Sequence, residues 1–274
     1  MGGFPMPLKK AKSTRGTTGK PLAQRHALVR ARPVISSRPT RTHALTTLCI
    51  DIGGTGIKMI TLDARGRPLT ERARMLTPRP AKPAAVLDVV RRMLPAQLRF
   101  DRISVGFPGV VLNGVVRTAV NLGTDLWVGH DLKRDLERLT GVPVQVINDA
   151  DLQGYGVIDG RGVELALTLG TGLGSALFVD GRLVPNLELG HHPFKKGKTY
   201  EERVSDAALK RIGKKEWTRR VLEALEQLTL TFNPRLIYLG GGNVEHLRGP
   251  LPKHVRTFTN VDGMTGGFKL WSGG

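Results

Sequence analysis

The sequence predicts an α/β protein made of two similar halves with a cleft between them. One observation is a repeated pattern: an apolar segment, a turn containing glycine and threonine, and a second apolar segment occupy residues 48–62 and again 165–179. The other is that each half continues into an amphipathic helix and a further strand. We expect a first lobe at 48–147, a second lobe at 148–259, and a final segment, 260–274, that packs back on the first lobe.

Three strands, a helix and a fourth strand are predicted for the first half. Short apolar runs at 48–52 and 57–62 are separated by glycines, which is typical of a β-hairpin, and 68–76 is predicted as a third strand. Apolar residues recur near helical spacing over 84–98, where a preceding proline suits the first turn. The apolar run 103–107 is then the fourth strand.

The second half repeats this order of elements. A strand is predicted at 144–147, and strands at 165–169 and 175–179 flank a second glycine turn. Apolar residues lie on one face of an amphipathic helix at 217–232, and a strand at 236–239 follows. The repetition supports a duplicated fold, although a fold by itself does not assign a function.

Composition excludes several classes of protein. A chain of 274 residues is long enough to bury a core without a metal or disulfide. Its one cysteine, Cys49, rules out an internal disulfide and clusters of thiolate ligands around zinc. No apolar run approaches the roughly 18 residues that a bilayer crossing needs. We therefore expect a soluble, cytoplasmic protein with no membrane partner.

The net charge of +19 comes largely from one segment. Residues 1–47 hold ten Lys or Arg, no Asp or Glu and five prolines, which leaves +9 for residues 48–274. A basic segment without hydrophobic periodicity is typical of a disordered extension. This one also looks like an organelle transit peptide, and a solvated tail with no assigned role is the simpler alternative.

Three glycine segments, 51–56, 170–174 and 240–242, are candidate phosphate-binding loops. Glycine has no Cβ, so backbone N–H groups beside it can approach an anion closely. A tight hairpin turn is the alternative for any one of these segments. The Gly-Thr-Gly core shared by the first two favours phosphate, and none of the three fits the Walker or dinucleotide-binding patterns.

Acidic residues follow two of the predicted strands. Asp51 could hold Mg²⁺ through water or cap the turn, and Lys58 is a phosphate contact or an exposed strand residue. Asp149, next to Asn148 at the end of the 144–147 strand, is placed to take a proton from a hydroxyl as it attacks phosphorus. We interpret Asp151 as the N-cap of the helix that follows.

A carboxylate and an imidazole flank a glycine-bearing turn at 188–191. Glu188 and His191 can together accept and donate hydrogen bonds to vicinal hydroxyls, which is the chemistry of sugar recognition. A metal site at His191 and His192 is the competing interpretation, but the sequence offers no cysteine or other ordered ligand to complete it.

Six motifs occur in one order along the chain: DIGGTGIK (51–58), GFPG (106–109), IND (147–149), LGTGLGS (169–175), ELGH (188–191) and YLGGG (238–242). Together they resemble the motifs of the ROK sugar kinases, and within that family its polyphosphate glucokinase branch. The resemblance covers nearly all of residues 48–271. It implies an actin-like, hexokinase-like (ribonuclease H-like) fold, phosphorylation of glucose at the 6-hydroxyl, Mg²⁺ as cofactor and a homodimer.

The resemblance also implies roles for individual residues. Asp149 corresponds to the catalytic base. The residues implied to bind or surround the sugar are Asn148, Glu188, His191, Asn121, Gly106, Pro108 and Gly109. The residues implied to bind the phosphoryl donor, to which Lys58 is added, are Asp51, Gly53, Gly54, Thr55, Gly56, Gly170, Thr171, Gly172, Gly240, Gly241 and Gly242.

The chain departs from the family pattern after the ELGH motif. Many family members have a cysteine-rich zinc loop there, whereas 192–202 contains no cysteine, so we expect no structural zinc. This segment carries Lys195, Lys196 and Lys198 instead. A lysine cluster leading to the cleft would favour inorganic polyphosphate as donor, and a solvated basic loop is the alternative.

Other functions are kept open. Within the family, a strictly ATP-dependent glucokinase or a mannose kinase would carry the same motifs. A sugar-binding regulator without catalysis is disfavoured by the presence of Asp149 and both phosphate loops. A nucleic-acid-binding protein would explain the charge, but aromatic residues are only 5% and no stacking surface is evident. We therefore expect glucose and polyphosphate or ATP as ligands, and no nucleic acid.

Overall fold

The computed structural model describes residues 44–271. It contains two large sheets of five strands each, and the first is formed by strands between residues 47 and 148. The strands of this sheet are β1 (Thr47–Ile52), β2 (Gly56–Leu62), β3 (Ala73–Leu76), β4 (Arg102–Phe107) and β7 (Val144–Asn148). They lie in the order β3-β2-β1-β4-β7. β1 pairs antiparallel with β2 and parallel with β4, so the sheet is mixed. The expectations for 1–43 fall outside the described residues.

The second sheet has the same topology. Its strands are β8 (Val163–Leu169), β9 (Leu173–Val179), β10 (Arg182–Val184), β13 (Leu236–Gly240) and β14 (Val255–Thr257). They lie in the order β10-β9-β8-β13-β14, with an antiparallel pair β8–β9 and a parallel pair β8–β13. Each sheet therefore begins with a hairpin and adds parallel strands on the other side, which is the duplication that the sequence predicts.

Two short hairpins and a set of helices connect and cover the sheets. The hairpins are β5 (Val111–Leu112) with β6 (Val115–Val116), and β11 (Pro193–Lys195) with β12 (Lys198–Thr199). The α-helices are α1 (Pro83–Met93), α2 (Thr124–Trp127), α3 (Leu132–Thr140), α4 (Asp149–Val157), α5 (Tyr200–Val204), α6 (Asp206–Phe232) and α7 (Asn260–Met264). The 3₁₀ turns are Leu94–Ala96, Leu189–His191, Val244–His246 and Thr265–Trp271.

The central strands are mostly apolar because both of their faces are covered. In β1, Leu48 and Ile50 belong to one buried cluster that also contains residues of α1 and α3. Cys49 points to the opposite face and packs with Met264 of the final segment. Every residue of β1 is buried, including the polar Thr47 and the charged Asp51 near its two ends.

Several predicted bounds are wrong by part of an element. The third strand is only Ala73–Leu76, because Pro68, which has no N–H to donate, makes just an isolated bridge to Leu62. The helix expected at 84–98 ends at Met93 and continues as a 3₁₀ turn, since the proline at position 95 removes a helical donor.

The long helix begins earlier than predicted. The helix expected at 217–232 is the second part of α6, which starts at Asp206 with Ser205 as its N-cap. Gly213 interrupts it with φ 73° and ψ 163°, a conformation that glycine adopts readily. Polar residues dominate the first part, so its sequence lacks the clear apolar face that identifies the second.

Helix α4 lies between the two sheets and contacts β4, β8 and β9 as well as the final segment. Glycines let it approach its neighbours closely: a Cβ at Gly154 would lie 2.5 Å from Cε2 of Phe178, and one at Gly156 would lie 2.2 Å from the carbonyl oxygen of Asp262. Because the helix is contacted on several sides, it has no single apolar face. For that reason periodicity did not predict it.

The final segment closes the first sheet. Ser104 in β4 donates its hydroxyl to the Gly267 carbonyl at 2.6 Å and accepts the Trp271 indole N–H at 2.8 Å. Gly267 is also tightly fitted, since a Cβ there would lie 2.1 Å from Sγ of Cys49.

The lobe boundaries at 147 and 259 stay predictions. Among residues 44–271, no helix has the length of apolar sequence that a bilayer crossing requires.

Replacing Ser104 tests whether this closure contributes to stability. Ser104→Ala leaves a buried carbonyl and a partly buried indole N–H without their partner, and we expect a loss of about 1–3 kcal/mol in the free energy of unfolding. Thr257→Ala, at an exposed position on β14, is the control. Chemical denaturation of both variants measures the difference. An unfolding free energy equal to that of the wild type for Ser104→Ala would contradict the prediction.

Candidate active site

The ends of the strands and the glycine segments meet around one cavity of about 280 Å³. β1, β4 and β7 are parallel, so their carboxyl ends lie at the same edge of the first sheet. The second sheet contributes the turn between β8 and β9 and the turn after β13. The predicted site residues that line the cavity are Asp51, Gly53, Gly54, Thr55, Lys58, Pro108, Gly109, Asn121, Asn148, Asp149, Gly170, Thr171, Gly172, Glu188, His191, Gly241 and Gly242.

Three predicted glycines do not line the cavity. Gly56, Gly106 and Gly240 lie inside strands next to it. A Cβ at Gly106 would lie 3.2 Å from Cα of Asp149, and one at Gly240 would lie 2.2 Å from Cζ of Phe258. These glycines allow close packing behind the cavity, and Gly106 in particular lets the start of α4 sit directly on β4.

The three predicted lysines also lie elsewhere. Lys195, Lys196 and Lys198 belong to the β11–β12 hairpin, which does not line the cavity. Nζ of Lys195 is 3.1 Å from Oε1 of Glu223, and Nζ of Lys198 is 3.6 Å from Oε1 of Glu202. None of the three lysines lines the cavity, and Lys195 and Lys198 are paired with carboxylates of α6 and α5, so a role of the cluster in guiding a donor stays a prediction.

Asn148 connects the start of α4 to the opposite wall of the cavity. Its Oδ1 accepts the backbone N–H of Ala150 at 2.7 Å and that of Asp151 at 3.3 Å, so Asn148 is the N-cap. Its Nδ2 donates to Oε1 of Glu188 at 3.1 Å and to the Gly109 carbonyl at 3.3 Å. The interpretation of Asp151 as N-cap is therefore wrong, because Asn148, three residues earlier, already caps the helix.

Asp149 is the first residue of α4 and faces the cavity. Its Oδ1 accepts the N–H of Ala150 at 2.9 Å, at the positive end of the helix. Burial raises the pKa of Asp149 to about 8, and the negative charge of Asp51 adds to the shift, with smaller contributions from Glu188 and Asp151. A carboxylate with so high a pKa is a much stronger base than an ordinary aspartate.

Asp51 and Lys58 form an ion pair at the mouth of the first glycine loop. Nζ of Lys58 donates to Oδ2 of Asp51 at 2.6 Å, and Asp51 is only 6% exposed. Among residues 44–271 nothing donates a hydrogen bond to Oδ1 of Asp51, and no cluster of three or more His, Cys, Asp or Glu could hold a metal. One carboxylate oxygen fits Mg²⁺ held mainly by water and substrate phosphates, which is the usual arrangement for this ion.

The two glycine loops have free backbone donors. Each loop closes with one internal bond, from Gly53 N–H to the Gly56 carbonyl at 3.0 Å and from Gly170 N–H to the Gly172 carbonyl at 3.1 Å. Within residues 44–271, no acceptor is bonded to the N–H groups of the intervening loop residues Gly54, Thr55, Thr171 and Gly172. The loops can therefore bind an anion such as phosphate.

Glu188 and His191 lie at the end of the cavity nearest Asn148. Oε2 of Glu188 is 3.6 Å from Nε2 of His191, and burial raises the pKa of Glu188. Ser175 fixes this turn, since its hydroxyl donates to the Leu187 carbonyl and accepts the N–H of Leu189 at 3.2 Å. The cavity thus has neighbouring acceptors and donors at one end and phosphate-binding amides at the other.

Two further residues that line the cavity, Glu201 and Gln153, were not among the predicted site residues. Oε2 of Glu201 accepts the N–H of Leu173 at 3.2 Å and would lie 2.0 Å from a Cβ at Gly172. A capping box from Thr199 to Glu202 places Glu201 in the first turn of α5, and that box is visible in the sequence. Gln153 follows Asp149 by four residues and therefore shares its helix face.

Asp151 is a buried carboxylate that links three parts of the site. Its Oδ2 accepts the N–H of Asn186 at 3.3 Å, and Oδ1 of Asn186 accepts the N–H of Val111 at 3.3 Å. Oδ1 of Asp151 is buried and has no partner among the described residues. Burial raises its pKa to about 7, and the charge of Glu188 adds to the shift.

The raised pKa of Asp151 predicts a pH-dependent cost to stability. The folded state favours the protonated form, so the contribution to stability is complete below the ordinary pKa near 4 and is lost as pH rises through about 7. Asp151→Asn keeps the oxygen that accepts the Asn186 N–H but never becomes charged. We expect the melting temperature of Asp151→Asn minus that of the wild type to increase as the pH is raised from 5 to 8.

Asp125→Asn is the control for that measurement, because Asp125 is exposed in α2. The difference in melting temperature between this variant and wild type should change little over the same pH range. If this difference depends on pH in the same way for both variants, ionisation of Asp151 does not lower the stability of the folded protein.

Comparisons with known proteins agree on one family. Residues 47–201 match the model of the ROK family. A polyphosphate glucokinase of Mycobacterium tuberculosis (strain ATCC 25177 / H37Ra) is 34% identical over 221 residues, which cover 77% of this chain and 82% of that protein. A polyphosphate glucokinase of Mycobacterium leprae is 35% identical over 204 residues, 70% of this chain and 62% of that protein.

Solved structures show the same fold. The inorganic polyphosphate/ATP-glucomannokinase of Arthrobacter sp. strain KM superposes with a TM-score of 0.73 at 33% identity, covering 83% of this chain and 98% of that one. A ROK family glucokinase from Streptomyces griseus gives a TM-score of 0.71 at 21% identity, covering 83% and 100%. The actin-like, hexokinase-like fold is thereby confirmed, and the chain belongs to the ROK family.

Proposed function

We propose that this protein phosphorylates glucose at its 6-hydroxyl, with inorganic polyphosphate as phosphoryl donor and ATP as a second donor. The observation that carries the proposal is the position of Asp149, whose carboxylate faces the cavity between the Asn148–Glu188 pair and the two glycine loops. A base between a hydroxyl-binding end and a phosphate-binding end has the arrangement that phosphoryl transfer to an alcohol requires.

The sugar end of the cavity supplies both acceptors and donors. Glu188 accepts from hydroxyls, His191 donates or accepts, and the Asn148 amide donates to Glu188 and so holds that carboxylate in place. Glu201 and Asn121 add further polar groups on the cavity wall. Paired hydrogen-bonding groups of this kind match the vicinal hydroxyls of a hexose.

The mechanism we propose is an in-line transfer. Asp149 accepts the proton of the 6-hydroxyl, the oxygen forms a bond to the terminal phosphorus of the donor, and the bond between that phosphorus and the bridging oxygen breaks. The shortened phosphate chain leaves with its electron pair, while the loop N–H groups and Lys58 stabilise the phosphate charge. Mg²⁺ beside Asp51, when bound, neutralises charge on the donor.

The choice of donor and sugar rests on the relatives. The mycobacterial relatives are polyphosphate glucokinases, and the Arthrobacter relative at 33% identity is a polyphosphate/ATP-glucomannokinase. The second of these supports mannose as an alternative sugar and ATP as an alternative donor. A homodimer and the absence of structural zinc stay predictions from the family resemblance.

Replacing Asp149 tests its role as base. We expect Asp149→Asn to lower kcat by about 10² or more, because the amide cannot accept the proton. The glucose Kd, measured by calorimetry, should change little, since the variant keeps the size and position of the side chain. The control is Asp125→Asn, at an exposed position that does not line the cavity, which should retain the wild-type kcat. If Asp149→Asn keeps more than about a tenth of the wild-type kcat, Asp149 is not the base.

A matrix of donors and sugars tests the substrate assignment. Purified enzyme with Mg²⁺ is assayed with long-chain polyphosphate, tripolyphosphate and ATP against glucose, mannose and N-acetylmannosamine. We expect the highest kcat/KM with glucose and long-chain polyphosphate. Turnover with ATP but none with polyphosphate would overturn the donor assignment and leave the sugar kinase assignment in place, whereas no turnover in any combination would overturn both.

A further inference from the structure

A row of side chains crosses the first sheet from the cavity to the sheet edge. In the strand register, Asp51 of β1 is paired with Lys58 of β2, and Lys58 is paired with Arg74 of β3. Directly paired residues in neighbouring strands project from the same face, and neighbouring strands are about 4.8 Å apart. β3 is the outermost strand, so the row leads from the cleft beside Asp149 to the edge of the sheet.

Two arginines flank the first glycine loop at the outer end of this row. Nη2 of Arg79 donates to the Gly54 carbonyl at 2.7 Å. The guanidinium of Arg74 lies over Gly56, where a Cβ would be 2.8 Å from its Nε. Both arginines therefore touch the backbone of the loop that is expected to bind phosphate.

No carboxylate among the described residues neutralises the charges of these two arginines. Neither Arg74 nor Arg79 has a carboxylate partner within ion-pair distance among residues 44–271, and both side chains are exposed. Lys58, the lysine that lines the cavity, is instead paired with Asp51. Arg74 and Arg79 therefore supply positive charge at the first glycine loop that no described carboxylate neutralises.

We propose that Arg74 and Arg79 bind the part of a linear polyphosphate chain that extends beyond the phosphate being transferred. This rests on the proposed donor. The chain's terminal phosphate would lie at the loop amides near Asp149, and the following phosphates would run over Lys58 to the two guanidinium groups. Guanidinium groups suit this ligand because each can donate two hydrogen bonds to phosphate oxygens and stays charged at any working pH.

Long-chain polyphosphate and short donors differ in how many contacts they can make with Arg74 and Arg79. A chain of many phosphates can occupy the loop and the arginines at the same time. ATP carries only three phosphates followed by a nucleoside, and tripolyphosphate ends after three, so both make fewer contacts at the sheet edge. Arg74 and Arg79 therefore raise the preference for long-chain polyphosphate over these short donors.

The test compares Arg74→Gln/Arg79→Gln with wild type, using long-chain polyphosphate, tripolyphosphate and ATP at several salt concentrations. We expect the ratio of kcat/KM for long-chain polyphosphate to that for ATP to fall about tenfold in the double variant. We also plot log kcat/KM for the long chain against the logarithm of the salt concentration. The magnitude of the slope should be smaller by about 1–2 in the double variant, since each lost phosphate contact removes about one unit of slope.

Two further variants control for fold and charge. Arg182→Gln removes an exposed, unpaired arginine from β10, the edge of the other sheet, and should leave the ratio and the slope at wild-type values. Arg74→Gln alone leaves the Arg79 bond to the Gly54 carbonyl intact and should still lower both. Melting temperature and glucose KM report on the fold of each variant.

The outcomes separate this proposal from the donor assignment. Wild-type turnover with polyphosphate, together with an unchanged ratio and slope in the double variant, would show that the arginines do not bind the chain while the donor assignment stands. An equal loss with all three donors would also overturn the proposal, because it would place the arginines at the shared terminal phosphates. Absence of polyphosphate turnover in the wild type would overturn both.

Discussion

The site depends on keeping one carboxylate buried beside others of the same charge. Asp149 shares the cleft with Asp51, Glu188 and Asp151, and each of them disfavours its ionisation in addition to burial. The protein limits this repulsion in two ways: Lys58 neutralises Asp51 from the neighbouring strand, and the start of α4 places backbone N–H groups at Asp149. The remaining repulsion makes Asp149 a strong base, so the cost to stability and the reactivity of the site have the same origin.

Asn148 explains how a helix that begins in the cleft can also organise it. The same side chain caps α4 through its oxygen and holds Glu188 through its nitrogen. Asn148 therefore links the start of the helix directly to the Glu188 carboxylate. Asp151 extends this connection one turn further, because Asn186 joins it to the N–H of Val111. The start of α4, Glu188 and the β5–β6 hairpin are thus linked by hydrogen bonds.

Local patterns predicted the parts of the fold that local forces determine. The hairpins, the parallel strands and the glycine loops follow from apolar runs and from turn residues, and the structure contains all of them. Helix α4 was expected only from the capping interpretation of Asp151, which placed its start too late, because its glycines and mixed polarity give no clear periodicity. Glu201 was missed because its place in the cavity depends on how α5 packs on the second glycine loop. The ion pair of Lys195 could not be predicted locally because Glu223 is 28 positions away, whereas the partner of Lys198, Glu202, is an i,i+4 neighbour.

The closure of the first sheet by the final segment has a consequence for the order in which the chain folds. Ser104 is bonded to Gly267, 163 positions later, and Cys49 is covered by Met264. During synthesis, most of the first half leaves the ribosome long before these covering residues exist. One face of its sheet therefore lacks this cover until residues 264–271 have been synthesised, and a nascent chain held in that state exposes apolar surface that chaperones bind.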